Sequence, residues 1–177
     1  MNYRIAYLLD GKSKKYVEDM IQDVAKKFDV DFVYSGRQPA HITLKYRFET
    51  NKIKEVENIL SEICEEINTS NFEIGGLGSF KRDALILKVK PSKEMIRFEK
   101  IVLKRLGYLN GDLAKFDKVL YKNFHIGIAH HDIKSKFDEI KEYLKKYDKK
   151  FKLKFDRVYL IKKPINKWIV QKSFKLK

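Results

Sequence analysis

The sequence predicts a duplicated α+β fold whose two halves face each other across a groove. Residues 40–44 (AHITL) and 124–128 (FHIGI) each place a histidine inside the alternating pattern of a strand, and an amphipathic helix follows each. The order helix, histidine strand, helix, strand, strand occurs once in each half of the 177 residues. Such an order can recur by chance in α+β proteins, but only four histidines are present and two occupy equivalent places, which favours duplication.

In the first half, alternation predicts strands and a 3.6-residue period predicts helices. The predicted strands span residues 3–9, 31–34, 40–48, 71–80 and 84–90, and the predicted helices span 14–28 and 52–67. Ser13 is the expected N-cap of the first helix, since its hydroxyl can accept from a free backbone N–H. A turn or loop at residues 35–39 leads into the first histidine strand.

The second half repeats this order from residue 92 onward. The predicted helices span residues 93–106 and 133–147, and the predicted strands span 123–130, 151–162 and 167–176. Ser92 and Asp132 are the expected N-caps of the two helices. We therefore expect one domain over residues 1–177, with one lobe centred on 35–91 and the other on 92–177. The N-terminal strand and helix are free to cross between the lobes.

The chain is strongly basic, with 39 Lys and Arg against 24 Asp and Glu and a formal charge of +15. Such an excess predicts a polyanionic partner, usually nucleic acid, although AT-rich codon usage or life at high temperature also raises lysine content. The single cysteine, Cys64, excludes a disulfide framework and a cysteine-rich metal site, and it favours a cytoplasmic location. No segment has the pattern of a membrane span or a secretory signal. We expect the protein to be a monomer.

Side chains alternate between the two faces of a strand, so each histidine strand should have an apolar face and a polar face. His41, Thr43 and Lys45 share the polar face of the first strand. The same alternation places His125 and Gly127, with Ala129, on one face of the second. Two imidazoles meeting over one groove can serve as base and acid in a single proton transfer. Thr43, about 6.6–6.8 Å along the strand from His41, can hold another oxygen of the same phosphate.

These residues resemble the two-histidine (2H) phosphoesterase superfamily, which includes 2′-5′ RNA ligase-like proteins and cyclic nucleotide phosphodiesterases. Its mark is a pair of His-hydrophobic-Thr/Ser-hydrophobic motifs, one in each lobe. Residues 41–44 (HITL) match in full, and residues 125–128 (HIGI) match at three of four positions. The resemblance implies a bilobal fold in which two antiparallel sheets flank a central cleft and the helices lie outside. It also implies that His41, Thr43 and His125 are catalytic.

Gly127 departs from the family pattern, because glycine has no hydroxyl to bind the phosphate. Three explanations stay open. The backbone amide of Gly127 can bind the phosphate, a donor can come from Tyr121, His130 or Ser135, or catalysis is weak. Loss of one preorganised donor costs roughly 10²–10³ in rate. Glycine also makes room for a bulkier substrate, such as an oligonucleotide or a cyclic oligonucleotide.

The resemblance implies a phosphodiesterase that uses neither a metal nor another cofactor. One neutral imidazole would take a proton from water or a ribose 2′-hydroxyl, and the other, protonated, would donate to the leaving oxygen. The sequence does not assign the two roles. His130 and His131 give no metal site with His125, since a strand that continued to His131 would place it about 20 Å away. Ligation, the reverse reaction, is also open.

The expected substrates are RNA, oligonucleotides or cyclic nucleotides with 2′,3′-cyclic phosphates, 2′-5′ linkages or 3′-5′ linkages. Arg37, Lys45, Gly127 and Tyr121 are the predicted substrate-binding residues, although Arg37 is equally well explained as a solvated loop residue. Two rival functions stay open. One is a non-catalytic module that binds RNA or nucleotides, which Gly127 favours. The other is an interaction protein whose lysines only keep its surface solvated.

Overall fold

Two four-stranded antiparallel sheets form the framework of the protein, as the sequence predicts. The computed structural model describes residues 1–35, 38–109, 114–117 and 123–177. The elements are β1 (Asn2–Leu8), α1 (Gly11–Phe28), α2 (Phe32–Ser35), β2 (His41–Glu49), α3 (Ile53–Glu66), β3 (Ser70–Phe80), β4 (Ala84–Lys90), α4 (Lys93–Leu106), α5 (Ala114–Asp117), β5 (His125–His130), α6 (Phe137–Tyr143), β6 (Phe151–Phe155), β7 (Arg157–Lys163) and β8 (Ile169–Lys175).

The sheets have the strand orders β2-β1-β7-β8 and β5-β4-β3-β6. The two histidine strands, β2 and β5, are thus the edge strands of their sheets, and they lie beside each other. The sheets do not coincide with the expected lobes 35–91 and 92–177. The chain crosses at Asp156, so that the single strand predicted over 151–162 is two strands, β6 in one sheet and β7 in the other.

Apolar side chains from both sheets and the covering helices form one main core. The buried positions of the longer helices follow the helical period and include Val17 and Met20 of α1, Leu60 of α3 and Phe98 of α4. Burial of such a face, rather than helix propensity alone, supplies most of the stability of helices of this length. In the described part of the chain, no helix is long and apolar enough to cross a membrane.

The helix N-caps agree with the sequence at one of three positions. Ser92 caps α4, where its hydroxyl accepts from the backbone N–H of Met95 at 3.0 Å. Ser13 lies inside α1 and donates its hydroxyl proton to the carbonyl of Asp10. Asp132 does not cap the helix that follows it, which begins only at Phe137.

Residues 31–34 were predicted as a strand, but the structure places the four-residue helix α2 at Phe32–Ser35. Asp132 explains this difference, because its carboxylate accepts from the backbone N–H groups of Asp31 and Phe32 at 2.8 and 2.9 Å. A carboxylate at this end satisfies N–H groups that have no partner within a helix. A contact from a residue 100 positions away therefore overrides the strand propensity of Phe32 and Val33.

Candidate active site

Each histidine strand contains an extra residue three positions after its histidine, and β2 has a second register shift between Lys45 and Phe48. On β2, Thr43 pairs with Ala6 and Lys45 pairs with Ile5, so Leu44 is the extra residue. On β5, Gly127 pairs with Ile86 and Ala129 with Leu85, so Ile128 is the extra residue. A bulge of this kind reverses which face the following side chains occupy. The equivalent positions of the two bulges extend the internal duplication beyond the histidines.

The two histidines are held in the same way. His41 Nδ1 lies 2.8 Å from the carbonyl oxygen of Pro39, and His125 Nδ1 lies 2.6 Å from the carbonyl oxygen of Asn123. Each carbonyl belongs to the residue two positions before the histidine. Because a carbonyl only accepts, each Nδ1 carries the proton in the neutral ring, and Nε2 is left for chemistry.

The histidines interact across the boundary between the sheets. The charge of His125 contributes to a lower pKa at both His41 and His130. His41, Gly127 and His130 line one cleft, together with Phe32 and Gln38. The enclosed part of this cleft is small, about 50 Å³, which is below the roughly 300–1,000 Å³ typical of small-ligand sites. The two motif histidines therefore lie near each other, with His41 lining the cleft and His125 close enough for its charge to act on His41.

Arg4 of β1 stands against the first histidine, and the sequence pattern gave no sign of it. Its Nη1 lies 2.8 Å from both His41 Nε2 and Gln38 Oε1, and its guanidinium lies 4.6 Å from the centre of the Trp168 ring. Burial lowers the pKa of Arg4 to about 10, so the group stays charged near neutrality. Its Nε is buried and has no hydrogen-bond partner among the described residues.

His41, His125 and His130 are all held toward the neutral form. Burial, followed by the charge of Arg4, lowers the pKa of His41 to about 3. Burial also lowers the pKa of His125, although the Asn123 carbonyl opposes this shift. The pKa of His130 is lowered to about 4, first by burial and then by His131. His41 thus has a cation against its reactive nitrogen.

Thr43 keeps the place that alternation predicts, on the same face as His41. It pairs with Ala6, its side chain is mostly buried, and its hydroxyl makes no hydrogen bond to any described part of the protein. Lys45 does not face the cleft, contrary to the prediction. The bulge at Leu44 turns Lys45 into the core, where its Nζ lies 2.9 Å from Asp117 Oδ2 and 1% of the side chain is exposed.

The bulge at Ile128 has the same effect on β5. Ala129 is buried in the core and does not share the face of His125, whereas His130 does. Gly127 lines the cleft, as the substrate-binding prediction requires. Arg37 and Tyr121 lie outside the described residues. Among the residues that are described, no three His, Cys, Asp or Glu side chains converge closely enough to hold a metal ion.

Paired imidazoles on neighbouring edge strands, with a threonine beside the first, define the class of two-histidine phosphoesterase folds. The sequence profile of the 2′-5′ RNA ligase superfamily matches residues 13–164. The chain belongs to this superfamily, whose members include phosphoesterases and ligase-like enzymes. Membership of this superfamily supports an activity of the phosphoesterase kind.

Solved structures share the fold over almost the whole chain. TT0787 of Thermus thermophilus is 16% identical with a TM-score of 0.62, and the match covers 99% of this chain and 98% of that one. E. coli LigT complexed with NADP+ is 12% identical with a TM-score of 0.60, covering 99% and 97%. LigT complexed with 3′-AMP is 13% identical with a TM-score of 0.59, covering 99% and 98%. No curated protein sequence matches the chain.

Proposed function

We propose that this protein is a metal-independent phosphodiesterase that acts on RNA or oligonucleotides through two-histidine acid–base catalysis. The observation that carries the proposal is that His41 and His125 are held by equivalent hydrogen bonds. Each ring donates Nδ1–H to a carbonyl two residues earlier, which leaves Nε2 as the proton-transfer atom. The bonds that fit this site are 2′,3′-cyclic phosphates and 2′-5′ or 3′-5′ linkages, including those of cyclic or 2′-5′ oligonucleotide signals.

The surroundings of the two imidazoles support different roles for them. Arg4 disfavours a proton on His41, so His41 acts as the base that takes a proton from water or from a ribose hydroxyl. Burial, and not a neighbouring cation, lowers the pKa of His125, so His125 acts as the acid that protonates the leaving ribose oxygen. A phosphate oxygen would accept from Arg4 Nη1, which frees His41 Nε2 for this step.

Two exposed aromatic rings beside the histidines support a nucleotide substrate. Phe32 is 48% exposed and lies 5.0 Å from the His130 ring, while Phe80 is 38% exposed and lies 4.8 Å from the His125 ring, both measured between ring centres. Aromatic rings in such places stack on bases with little regard to sequence. The nucleotides bound to LigT in its crystal structures are consistent with this substrate class.

The test is hydrolysis with a chelator present. Wild type, His41→Ala, His125→Ala and the double variant are incubated with adenosine 2′,3′-cyclic phosphate and with 2′-5′ and 3′-5′ ApA, and products are identified by mass. Loss of a general acid or base should cost roughly 10²–10⁴-fold in kcat. The double variant should lose little more than either single variant, because the two groups act in one step.

The pH dependence adds a second readout. Activity needs one neutral and one protonated imidazole, and both pKa values lie below the ordinary range for histidine. We therefore expect kcat/KM to follow a bell-shaped curve with its maximum on the acid side of neutrality, and to fall as pH rises and the acid loses its proton.

The second candidate function is a binding module, and Gly127 is the observation that favours it. Equal, negligible hydrolysis by wild type and the double variant, with equal affinity for the oligonucleotide, would establish it. Activity that is lost with the chelator and restored by a divalent ion would contradict the two-histidine mechanism.

A further inference from the structure

The two histidine strands differ at one functional position. On β2, Thr43 follows His41 by two residues and places a free hydroxyl on the same face. The equivalent residue on β5 is Gly127, which has no side chain to offer. The second half of the site therefore lacks the donor that the first half has.

The bulge at Ile128 turns a residue from further along the strand toward this position. Without it, His130 would point into the core and Ala129 would face the cleft. With it, His130 pairs with Ala84 and joins His125 and Gly127 on the cleft face. His130 also lines the same cleft as His41.

The ring of His130 stands over Gly127. A Cβ atom added to Gly127 would lie 3.7 Å from His130 Cδ2 and 3.9 Å from His130 Nε2, which is ordinary contact. The ring packs against Phe32, with centres 5.0 Å apart, and against His131, with centres 4.7 Å apart. No described residue makes a hydrogen bond to it, so its polar edge is available to a ligand in the cleft.

We propose that His130 replaces the hydroxyl missing at Gly127 and donates an N–H hydrogen bond to a phosphoryl oxygen of the substrate. This inference rests on the proposed function, since it assigns a third imidazole to the same phosphate site. A neutral imidazole has one N–H and can donate it without the charge that would draw His41 or His125 away from its role. The low pKa of His130 agrees with a neutral ring in the working pH range.

The roles of the three histidines separate by position. His41 and His125 are held through Nδ1 by backbone carbonyls and move protons. His130 is held by ring packing and donates to a phosphoryl oxygen. Ser135, another donor considered for this place, is exposed in the turn that follows β5. His130 is thus the side-chain donor that the described structure places beside Gly127.

Four variants test the inference. His130→Phe keeps the ring volume and the packing on Phe32 but removes the donor, and kcat should fall roughly 10²–10³-fold with a smaller change in KM. Ser135→Ala is the control, because Ser135 is the alternative donor and is exposed in the turn after β5. Its activity should stay near that of wild type.

Rescue separates phosphate binding from a structural role. His130→Ala should lose activity, and Gly127→Ser in the His130→Ala protein should regain a large part of it, because the serine supplies the missing hydroxyl at the position equivalent to Thr43. The backbone of Gly127 has no positive φ, so a side chain is compatible with it. If His130→Phe is as active as Ser135→Ala, the inference is wrong.

Failure of the proposed function gives a different result. In that case wild type shows no turnover above the His41→Ala, His125→Ala protein on any substrate. The role of His130 is then read from imidazole ¹H–¹⁵N NMR during titration with inorganic phosphate. The His130 signals should shift on phosphate addition in wild type, and they should shift more than the His131 signals. Unmoved His130 signals would overturn the inference whether or not the protein is an enzyme.

Discussion

His41 and His125 differ by one neighbour, although their own backbone contacts match. Arg4 stands 2.8 Å from His41 Nε2 and gives this histidine a cation at its reactive atom. A single side chain on the adjacent strand can therefore give two equivalent histidines different roles, because the charge of one residue changes the proton affinity of another. The histidines were predictable from the sequence, but their unequal surroundings depend on Arg4 of β1.

Glu99 is a buried carboxyl group of α4, and we predict that it makes stability depend on pH. None of its side chain is exposed, neither carboxyl oxygen has a hydrogen-bond partner among the described residues, and burial followed by the charge of Asp117 raises its pKa to about 7. A raised folded-state pKa stabilises the fold below the unfolded pKa, and this contribution is lost as pH rises through about 7.

Glu99→Gln removes this ionisation. The free energy of unfolding of wild type, relative to that of Glu99→Gln, should therefore decrease by up to about 3 kcal/mol as the pH rises from about 4.5 to about 8. Urea unfolding across this range measures the effect. Glu66→Gln on the exposed side of α3 is the control and should follow the wild-type pH dependence. Parallel pH curves for wild type and Glu99→Gln would contradict the prediction.

At the scale of the element, the bulge in β2 is fixed by α5. Asp117 of α5 accepts from Lys45 Nζ at 2.9 Å and from the backbone N–H of Tyr46 at 2.9 Å. A buried carboxylate thus satisfies both the lysine that the bulge turns inward and an amide of the strand beyond the bulge. This contact stabilises the bulge that orients His41 and Thr43 relative to Lys45.

Lys45→Met leaves Asp117 buried without its cation, and we expect a loss of about 3–5 kcal/mol in the free energy of unfolding. The double variant Lys45→Met, Asp117→Asn should recover much of this loss, because asparagine keeps an acceptor for the Tyr46 amide and carries no charge. Urea unfolding of the single and double variants checks this. A stable Lys45→Met protein with weakened nucleotide binding would instead support the role of substrate ligand.

At the scale of the molecule, the charge of +15 is large for 177 residues. If the basic residues bind substrate, a longer oligonucleotide should contact more of them than a mononucleotide does. We expect the affinity for a ten-nucleotide RNA to fall with salt more steeply than the affinity for 3′-AMP, since each neutralised phosphate of a single strand adds roughly −0.7 to the slope of log K against log salt. Binding to the His41→Ala, His125→Ala protein measures both slopes without turnover. Equal slopes would indicate that the lysines only keep the surface solvated.

The pseudo-symmetry of the whole molecule explains why so much of the fold was predictable. Strands β2 and β5 are edge strands of equivalent sheets, and each has its histidine at the first position and a bulge three residues later. The strands and the long helices followed from periods of two and 3.6 residues, which are local properties of the chain. The helix α2 and the separation of β6 from β7 did not follow, because each depends on a distant partner.

The sequence by itself determined the α+β class, the two histidine motifs and the face on which His41, Thr43, His125 and Gly127 lie. Only the tertiary structure decided that Lys45 enters the core, that His130 reaches the cleft and that Arg4 stands against His41. The physical reason is that one extra residue in a strand exchanges its two faces, and pairing with the neighbouring strand decides where that residue is accommodated. The alternation of side chains can be read from the sequence of one strand, but the pairing depends on both neighbouring strands.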